Sequence, residues 1–253
     1  MLPKQRKREI VDVVSEENGQ TVTELADALG VSEATIRRDL QDLEDEGLIE
    51  RSHGGAIPAS SVAEERTYSQ KQVQNLEAKQ AIGNRAAEEI RRGQVVFFDS
   101  GTTTMEVAKA APDTEFIAAT NSPLIAMELG ERGDVKLTGG TLREQTWALV
   151  GPTGEEFLER TNFDVVFLGT NAIHPEAGLT TPNEDEARMK SLMVEKSQRV
   201  VLVSDGSKLD QRSFVNFADL EDVDVFVTEA TLTDEQREPF EAAGVDVVDG
   251  VGE

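Results

Sequence analysis

Six runs rich in β-branched and aromatic residues, Val95–Asp99, Glu115–Thr120, Val135–Thr138, Val165–Gly169, Val200–Ser204 and Val225–Thr228, recur along the later part of the chain. Helix-length stretches lie between most of them. Runs that stay apolar, bounded by helices, predict strands buried on both faces, which is the pattern of a parallel sheet. Residues 76–253 are therefore read as one doubly wound α/β domain, opening with a helix from Leu76 to Arg92. No internal repeat or low-complexity tract interrupts it. At 253 residues the chain has room for one further small module ahead of this domain.

That module is legible in Val31 to Ala56, VSEATIRRDLQDLEDEGLIERSHGGA. Ser32 precedes Glu33 as an N-cap with an acid in the first turn, and Gly47 supplies a left-handed stop. Between them Ile36, Leu40 and Leu43 share one helical face, while Thr35, Arg38 and Gln41 face the other way. Leu48–Arg51 and Ala56–Ile57 are short enough for a hairpin, with Ser52–Gly55 as its glycine-bearing turn. Upstream, Pro3–Asn18 reads as a first helix burying Ile10, Val13 and Val14. A short second helix, Glu24–Leu29, is capped by Thr23 and closed by Gly30. Three helices and a hairpin make residues 1–57 a winged helix-turn-helix, and the order outweighs the bland alternative of solvated i,i+4 pairs, Glu33 with Arg37 and Arg38 with Asp42. Pro58 to Asn75 is polar and weakly periodic and is read as a linker.

The residues Arg6, Ile10, Val14 and then Ser32, Thr35, Ile36, Arg37, Arg38, Asp39 and Leu40 resemble the DeoR family of transcriptional regulators, whose reader carries S-x-x-T-I-R-R-D-L. The resemblance implies a third helix that reads duplex DNA, with Arg37 and Arg38 at guanine edges and Thr35 or Gln41 as shorter partners. Lys4, Arg6, Ser32 and Arg51 complete the expected DNA-binding set together with His53. The basic start of the first helix serves either phosphate or solvent, and His53 in the hairpin turn is either a contact or incidental.

Charge runs against this reading at first. The chain has 49 acidic and 25 basic residues, a formal net charge of −24, whereas a DNA binder is ordinarily basic. Self-repulsion of this size is tolerable where salt screens it, the Debye length being about 3 Å at 1 M. The composition points to a halophile, an archaeon by expectation. Counterion release weakens steeply with salt, so base and shape readout must carry recognition there. No cysteine is present and no apolar run approaches the roughly 18 residues of a membrane span, so a soluble, cytoplasmic protein is expected.

Ligands of open α/β sheets sit beyond the carboxyl ends of strands. Asp99-Ser100-Gly101-Thr102-Thr103-Thr104 follows the first strand and opens a helix, offering hydroxyls and free N–H groups to a phosphate, although Ser and Thr also cap helices routinely. Thr120-Asn121-Ser122, Gly139-Gly140, Gly169-Thr170-Asn171 and Asp205-Gly206-Ser207-Lys208 repeat the theme at four more strand ends. A polyhydroxylated anion would use the asparagines and aspartates for hydroxyls and Lys208 for charge. Glu186 and Lys190, four apart on a helix, are either part of that site or a surface pair. The DeoR resemblance extends to Asp99, Gly101, Thr102, Thr103, Thr120, Asn121, Ser122, Gly139, Gly140, Glu186, Lys190, Asp205, Ser207 and Lys208. It implies a sugar-phosphate sensor similar in fold to ribose 5-phosphate isomerase and the coenzyme A transferases.

No His, Asp or Glu cluster has metal-ligand spacing, and no cofactor is expected. The resulting expectation is a repressor of sugar or polyol catabolic genes, acting as a dimer or tetramer whose operator binding responds to a phosphorylated sugar. Two other readings use the same residues: an aldose–ketose isomerase, and a DNA-binding scaffold whose pocket is vestigial.

Overall fold

The computed structural model describes residues 3–16, 19–45, 48–52, 54–58 and 65–252. The chain divides into two compact units, Met1–Ser61 and Val62–Glu253. In the first, α1 (Pro3–Glu16), β1 (Gln20–Thr21), α2 (Val22–Leu29) and α3 (Glu33–Asp45) are followed by β2 (Ile49–Ser52) and β3 (Gly55–Pro58). Ile10 and Val14 of α1, Leu25 of α2, and Ile36, Leu40 and Leu43 of α3 close one core with Ile49 and Ala56 of the hairpin.

Local chemistry corrects the sequence reading at two points. The cap of α2 is Thr21, not Thr23: its hydroxyl accepts from Glu24 N at 3.2 Å while Thr21 N donates to the Glu24 carboxylate at 2.9 Å. This reciprocal box satisfies two end groups at once. Among the described residues of the wing, Gly54 alone has a positive φ, of 83°. Gly55 is glycine because β1 pairs with β3 there: a Cβ would lie 2.1 Å from the Gln20 carbonyl oxygen. Gly55→Ala is accordingly expected to cost this unit about 2 kcal/mol by forcing β1 off the wing; a denaturation midpoint equal to wild type would refute that. Gly47 and His53 lie outside the described residues.

In the second unit, α4 (Tyr68–Val73) and α5 (Leu76–Ala86) precede β4 (Val95–Phe98), α6 (Thr102–Ala110), β5 (Ile117–Thr120), α7 (Pro123–Gly130) and β6 (Val135–Leu137). The hairpin β7 (Thr141–Arg143) and β8 (Ala148–Val150) leads through α8 (Pro152–Glu159) to β9 (Val165–Leu168), β10 (Ala172–His174), β11 (Gly178–Thr181) and α9 (Glu184–Glu195). The chain finishes with β12 (Val200–Val203), β13 (Val215–Ala218), β14 (Val225–Val227), α10 (Asp234–Ala242) and β15 (Asp246–Val248).

All six anticipated strands join one seven-stranded parallel sheet, with β15 as the seventh, in the order β15-β14-β12-β9-β4-β5-β6. Alternate residues serve opposite faces. Phe97, Val166, Leu168 and Phe226 pack with α8, α9 and α10; Phe98, Phe167, Val201 and Val227 pack with α5, α6 and α7. The central strands β4, β9, β12 and β14 read as unbroken apolar runs because they are buried on both faces, whereas the edge strands β6 and β15 are partly exposed. The order reverses between β4 and β9, which creates a crevice at their carboxyl ends.

The stretch expected to be linker up to Asn75 is partly structured. Thr67 and Gln70 form a capping box that starts α4, and Tyr68 is buried. The helix expected to reach Arg92 stops at Ala86, followed by a short 3₁₀ turn, Ala87–Glu89. Trp147 is a half-exposed residue with a φ of 56° in the β7–β8 turn.

Candidate effector pocket and nucleic-acid interface

On α3, Ser32 accepts from Thr35 N at 3.3 Å, and its hydroxyl also bonds that of Thr35 at 2.9 Å. Arg37 and Arg38 are exposed. Arg37 makes an i,i+4 pair with Glu33 at 2.7 Å, while Arg38 makes no hydrogen bond or ion pair among the described residues. Gln41 lies one turn further along the exposed side and bonds Glu44 and Asp45. The expected Arg38–Asp42 pair does not form; Asp42 pairs with Lys7 at 3.0 Å. Lys4 is exposed, and Arg51 reaches the Arg37 carbonyl at 3.5 Å.

Arg6 departs from the expected contact set. Its guanidinium grips Asp39 at 2.5 and 3.2 Å with both groups nearly buried, so it fastens α1 to α3. This explains the acid after the two arginines: Asp39 faces inward to meet Arg6, leaving Arg37 and Arg38 outward.

In the second unit an open pocket occupies the crevice at the switch point. The carboxyl end of β4 and the start of α6 contribute Ser100, Gly101, Thr102, Thr103 and Thr104; β9 contributes Gly169, Thr170 and Asn171; β12 contributes Ser204, Asp205, Ser207 and Lys208. Glu186 and Lys190 enter from α9.

Of the other anticipated residues, Thr120, Asn121 and Ser122 stand behind the cradle. The Asn121 side-chain oxygen accepts from Ser100 N at 2.8 Å, Thr120 donates to the Phe98 carbonyl at 2.7 Å, and the Ser122 hydroxyl caps α7. Gly139 and Gly140 do not line the pocket. They turn the chain from β6 into β7 with φ of 75° and 113°, and a Cβ on Gly140 would lie 2.4 Å from the Val150 carbonyl oxygen.

Glu186 and Lys190 are not a surface pair, nor do they pair with each other. Both are buried. Lys190 donates to Asp99 and, at 3.0 Å, to the Gly169 carbonyl, and its ammonium lies 5.5 Å from the Phe217 ring centre. Asp99 is fully buried; its second carboxylate oxygen has no hydrogen-bond partner, and burial pushes its carboxyl up against the pull of Lys190. Glu186 accepts from Arg143 and from the Thr146 hydroxyl.

Asp205 is also buried, and burial opposes its ionisation, but Lys208, Ser207 and Asn75 together hold its carboxyl below the usual range. Burial lowers Lys208, opposed by Asp205.

Tyr68, Lys71, Gln74 and Asn75, from the presumed linker, and Lys79 of α5 also line the pocket. The buried Tyr68 hydroxyl has no partner, and burial beside Glu106 pushes it up to about 12. Burial pushes Lys71 down to about 8 although Glu186 and Glu65 attract its charge. A short polar segment without an apolar stripe gives little periodic signal for packing, although the Thr67–Gln70 capping spacing marks a helix start.

Comparison with known proteins settles what bears this arrangement. The DeoR C terminal sensor domain family matches residues 74–230, and the DeoR-like helix-turn-helix domain family matches residues 6–62. The chain belongs to the DeoR family of transcriptional regulators. It is 64% identical to the HTH-type transcriptional regulator GlpR of Haloferax volcanii, with 99% of each chain covered. It is 33% identical to the glycerol-3-phosphate regulon repressor of Escherichia coli over 89% of this chain and 90% of the relative. Ribose 5-phosphate isomerase A of Methanocaldococcus jannaschii resembles it weakly, at 13% identity and a TM-score of 0.41 over 54% of this chain and 55% of the isomerase. With both domain families in one chain and regulators matching it end to end, this DeoR-family protein is a DNA-binding transcriptional regulator and not an isomerase. No helix among the described residues is long and apolar enough to cross a membrane.

Proposed function

We propose that this regulator represses genes of sugar or polyol catabolism and that a phosphorylated sugar metabolite in the pocket modulates its hold on operator DNA. The observation that carries the reading is the pocket's charge. A chain with nearly twice as many acids as bases brings Lys71, Lys79, Lys190 and Lys208 to one crevice beside Thr102–Thr104 and Ser207. Lys190 is neutralised by Asp99, and Lys79 is taken up by two carbonyls. Lys71 and Lys208 make no hydrogen bond through their ammonium groups among the described residues, which leaves them for an anion. Asn171, Asp205 and Glu186 offer partners to hydroxyls. The name of the glycerol-3-phosphate regulon repressor, a relative, agrees with a phosphorylated polyol. At the other unit, Arg37 and Arg38 read guanine edges, supported by Thr35 and Gln41, and a homo-oligomer presents two such readers to paired half-sites.

The test uses duplex DNA selected by the full chain from a random pool in molar KCl, titrated with glycerol 3-phosphate and a panel of triose and hexose phosphates. One ester is expected to weaken binding by about tenfold or more, its parent sugar not at all. Superimposable titrations for every ester would overturn the effector reading.

Two further outcomes follow from the charges. An anionic ester binds best while Lys71 is protonated, so its affinity should fall as pH rises through about 8, and Lys71→Arg should flatten that fall. For folding, the depressed value means that the Lys71 contribution is complete above the ordinary lysine range and is lost as pH falls through about 8. Isothermal titration across this range checks the binding claim; a profile unchanged by Lys71→Arg would count against it. Second, with a net charge of −24 the thermal midpoint should climb between dilute buffer and molar KCl. A midpoint independent of KCl would contradict the halophilic reading.

A further inference from the structure

Residues 65–75 lead the chain into the pocket-bearing unit, and the bonds that fasten them come from groups that line the pocket or that bond to a lining group or its neighbours. At the front, Arg143 grips the Glu65 carboxylate at 2.6 and 2.9 Å and shares the same guanidinium with Glu186, which lines the pocket. Next to it, Gln145 accepts from Tyr68 N at 2.8 Å and donates through its side chain to the Glu65 carbonyl. At the rear, Lys79 donates to the carbonyls of Lys71 and Gln74, and Asn75 donates to Asp205 at 3.0 Å. Glu186, Lys79 and Asp205 therefore face two ways: each lines the pocket and each, directly or through Arg143, anchors this segment.

We propose that residues 65–75 are the coupling element of this regulator and that Arg143 is its positioning residue. The inference rests on the pocket being the effector site. A phosphorylated polyol seated among Lys71, Glu186, Asp205 and Lys208 exchanges hydrogen bonds with the groups that hold α4. Its affinity therefore differs between the held and the released segment, and that difference is the coupling free energy passed to the chain that runs on to the DNA reader. Arg143 is the fulcrum because two nearly buried carboxylates share its one guanidinium. When ligand hydroxyls engage Glu186, Arg143 turns wholly to Glu65; without Arg143 the two carboxylates repel and the front anchor opens.

The experiment compares wild type, Arg143→Gln and Arg143→Lys as full chains, by hydrogen exchange and by binding to the selected duplex. Gln145→Ala, which removes a single side-chain bond, stands in if Arg143→Gln does not fold. Arg143→Gln should speed exchange across residues 65–71 by about tenfold or more, leave α3 unchanged, and shift duplex affinity by about fivefold or more. Arg143→Lys should lie between. For an ester that releases the wild type, Arg143→Gln should still bind the ester, with an affinity shifted by no more than the wild-type coupling factor, while the ester's effect on the duplex falls below about twofold. Unchanged exchange in residues 65–71, or faster exchange with unaltered duplex affinity, overturns the proposal. A duplex shift in Arg143→Gln with no ester acting on the wild type would keep the coupling and remove the effector; equal ester responses in both would do the reverse.

Discussion

Arg37→Ala combined with Arg38→Ala is expected to reduce selection of the operator over random duplex by about 100-fold or more in molar KCl. A bidentate arginine–guanine contact discriminates by about 1–3 kcal/mol, and at such salt the phosphate term that would mask the loss has largely vanished. The substitutions should leave the reader folded. Both side chains are exposed, Arg38 has no partner to lose among the described residues, and the Arg37–Glu33 pair is a surface pair worth about 0.3–0.5 kcal/mol. Arg51 bonds the Arg37 backbone carbonyl, which alanine retains. Competition binding against random duplex gives the ratio; an unchanged ratio with an intact fold would remove α3 from the role of reader.

Lys190→Met acts on the other unit and through stability. It strands Asp99, which is wholly buried, already has one oxygen without a partner, and keeps only the Gly169 N–H at 3.0 Å. Removing one partner of a buried pair costs about 3–5 kcal/mol because the remaining charge is uncompensated. Chemical denaturation of the full chain should show that loss in the transition of the sensor unit. Replacing Asp99 with Asn in the same chain should recover part of it, since the amide needs no counter-charge. A loss below about 1 kcal/mol would mean that the pair is not a structural requirement of the crevice.

Much of this was readable from residues alone, for reasons that differ by element. The seven-stranded sheet was legible in Val95–Asp99, Val165–Gly169 and Val200–Ser204 because strands buried on both faces cannot disguise their apolar runs. The strand β15 escaped because DVV is too short to stand out. The cradle at Ser100–Thr104 and Asp205–Lys208 followed from the rule that places ligands beyond strand ends. Glu186 and Lys190 looked like an i,i+4 pair because spacing says nothing of burial, and their true partners, Arg143 and Asp99, lie 43 and 91 residues away in sequence. Lys71 and Tyr68 were hidden for a related reason. They line the pocket from a segment whose packing is decided by Arg143, Gln145 and Lys79, not by its own pattern. Arg6 shows the opposite error, a basic residue assigned to DNA by its charge and claimed by Asp39 instead.

Methylation interference on the selected duplex decides whether α3 lies in the major groove with its arginines on guanine edges. Methylating guanine N7 blocks the edge that an arginine fork would use. The wild-type chain should show interference at guanines in each half-site, and Arg37→Ala and Arg38→Ala should each lose it at distinct positions. Wild-type binding indifferent to N7 methylation, or an interference pattern that both single variants retain, would contradict that placement.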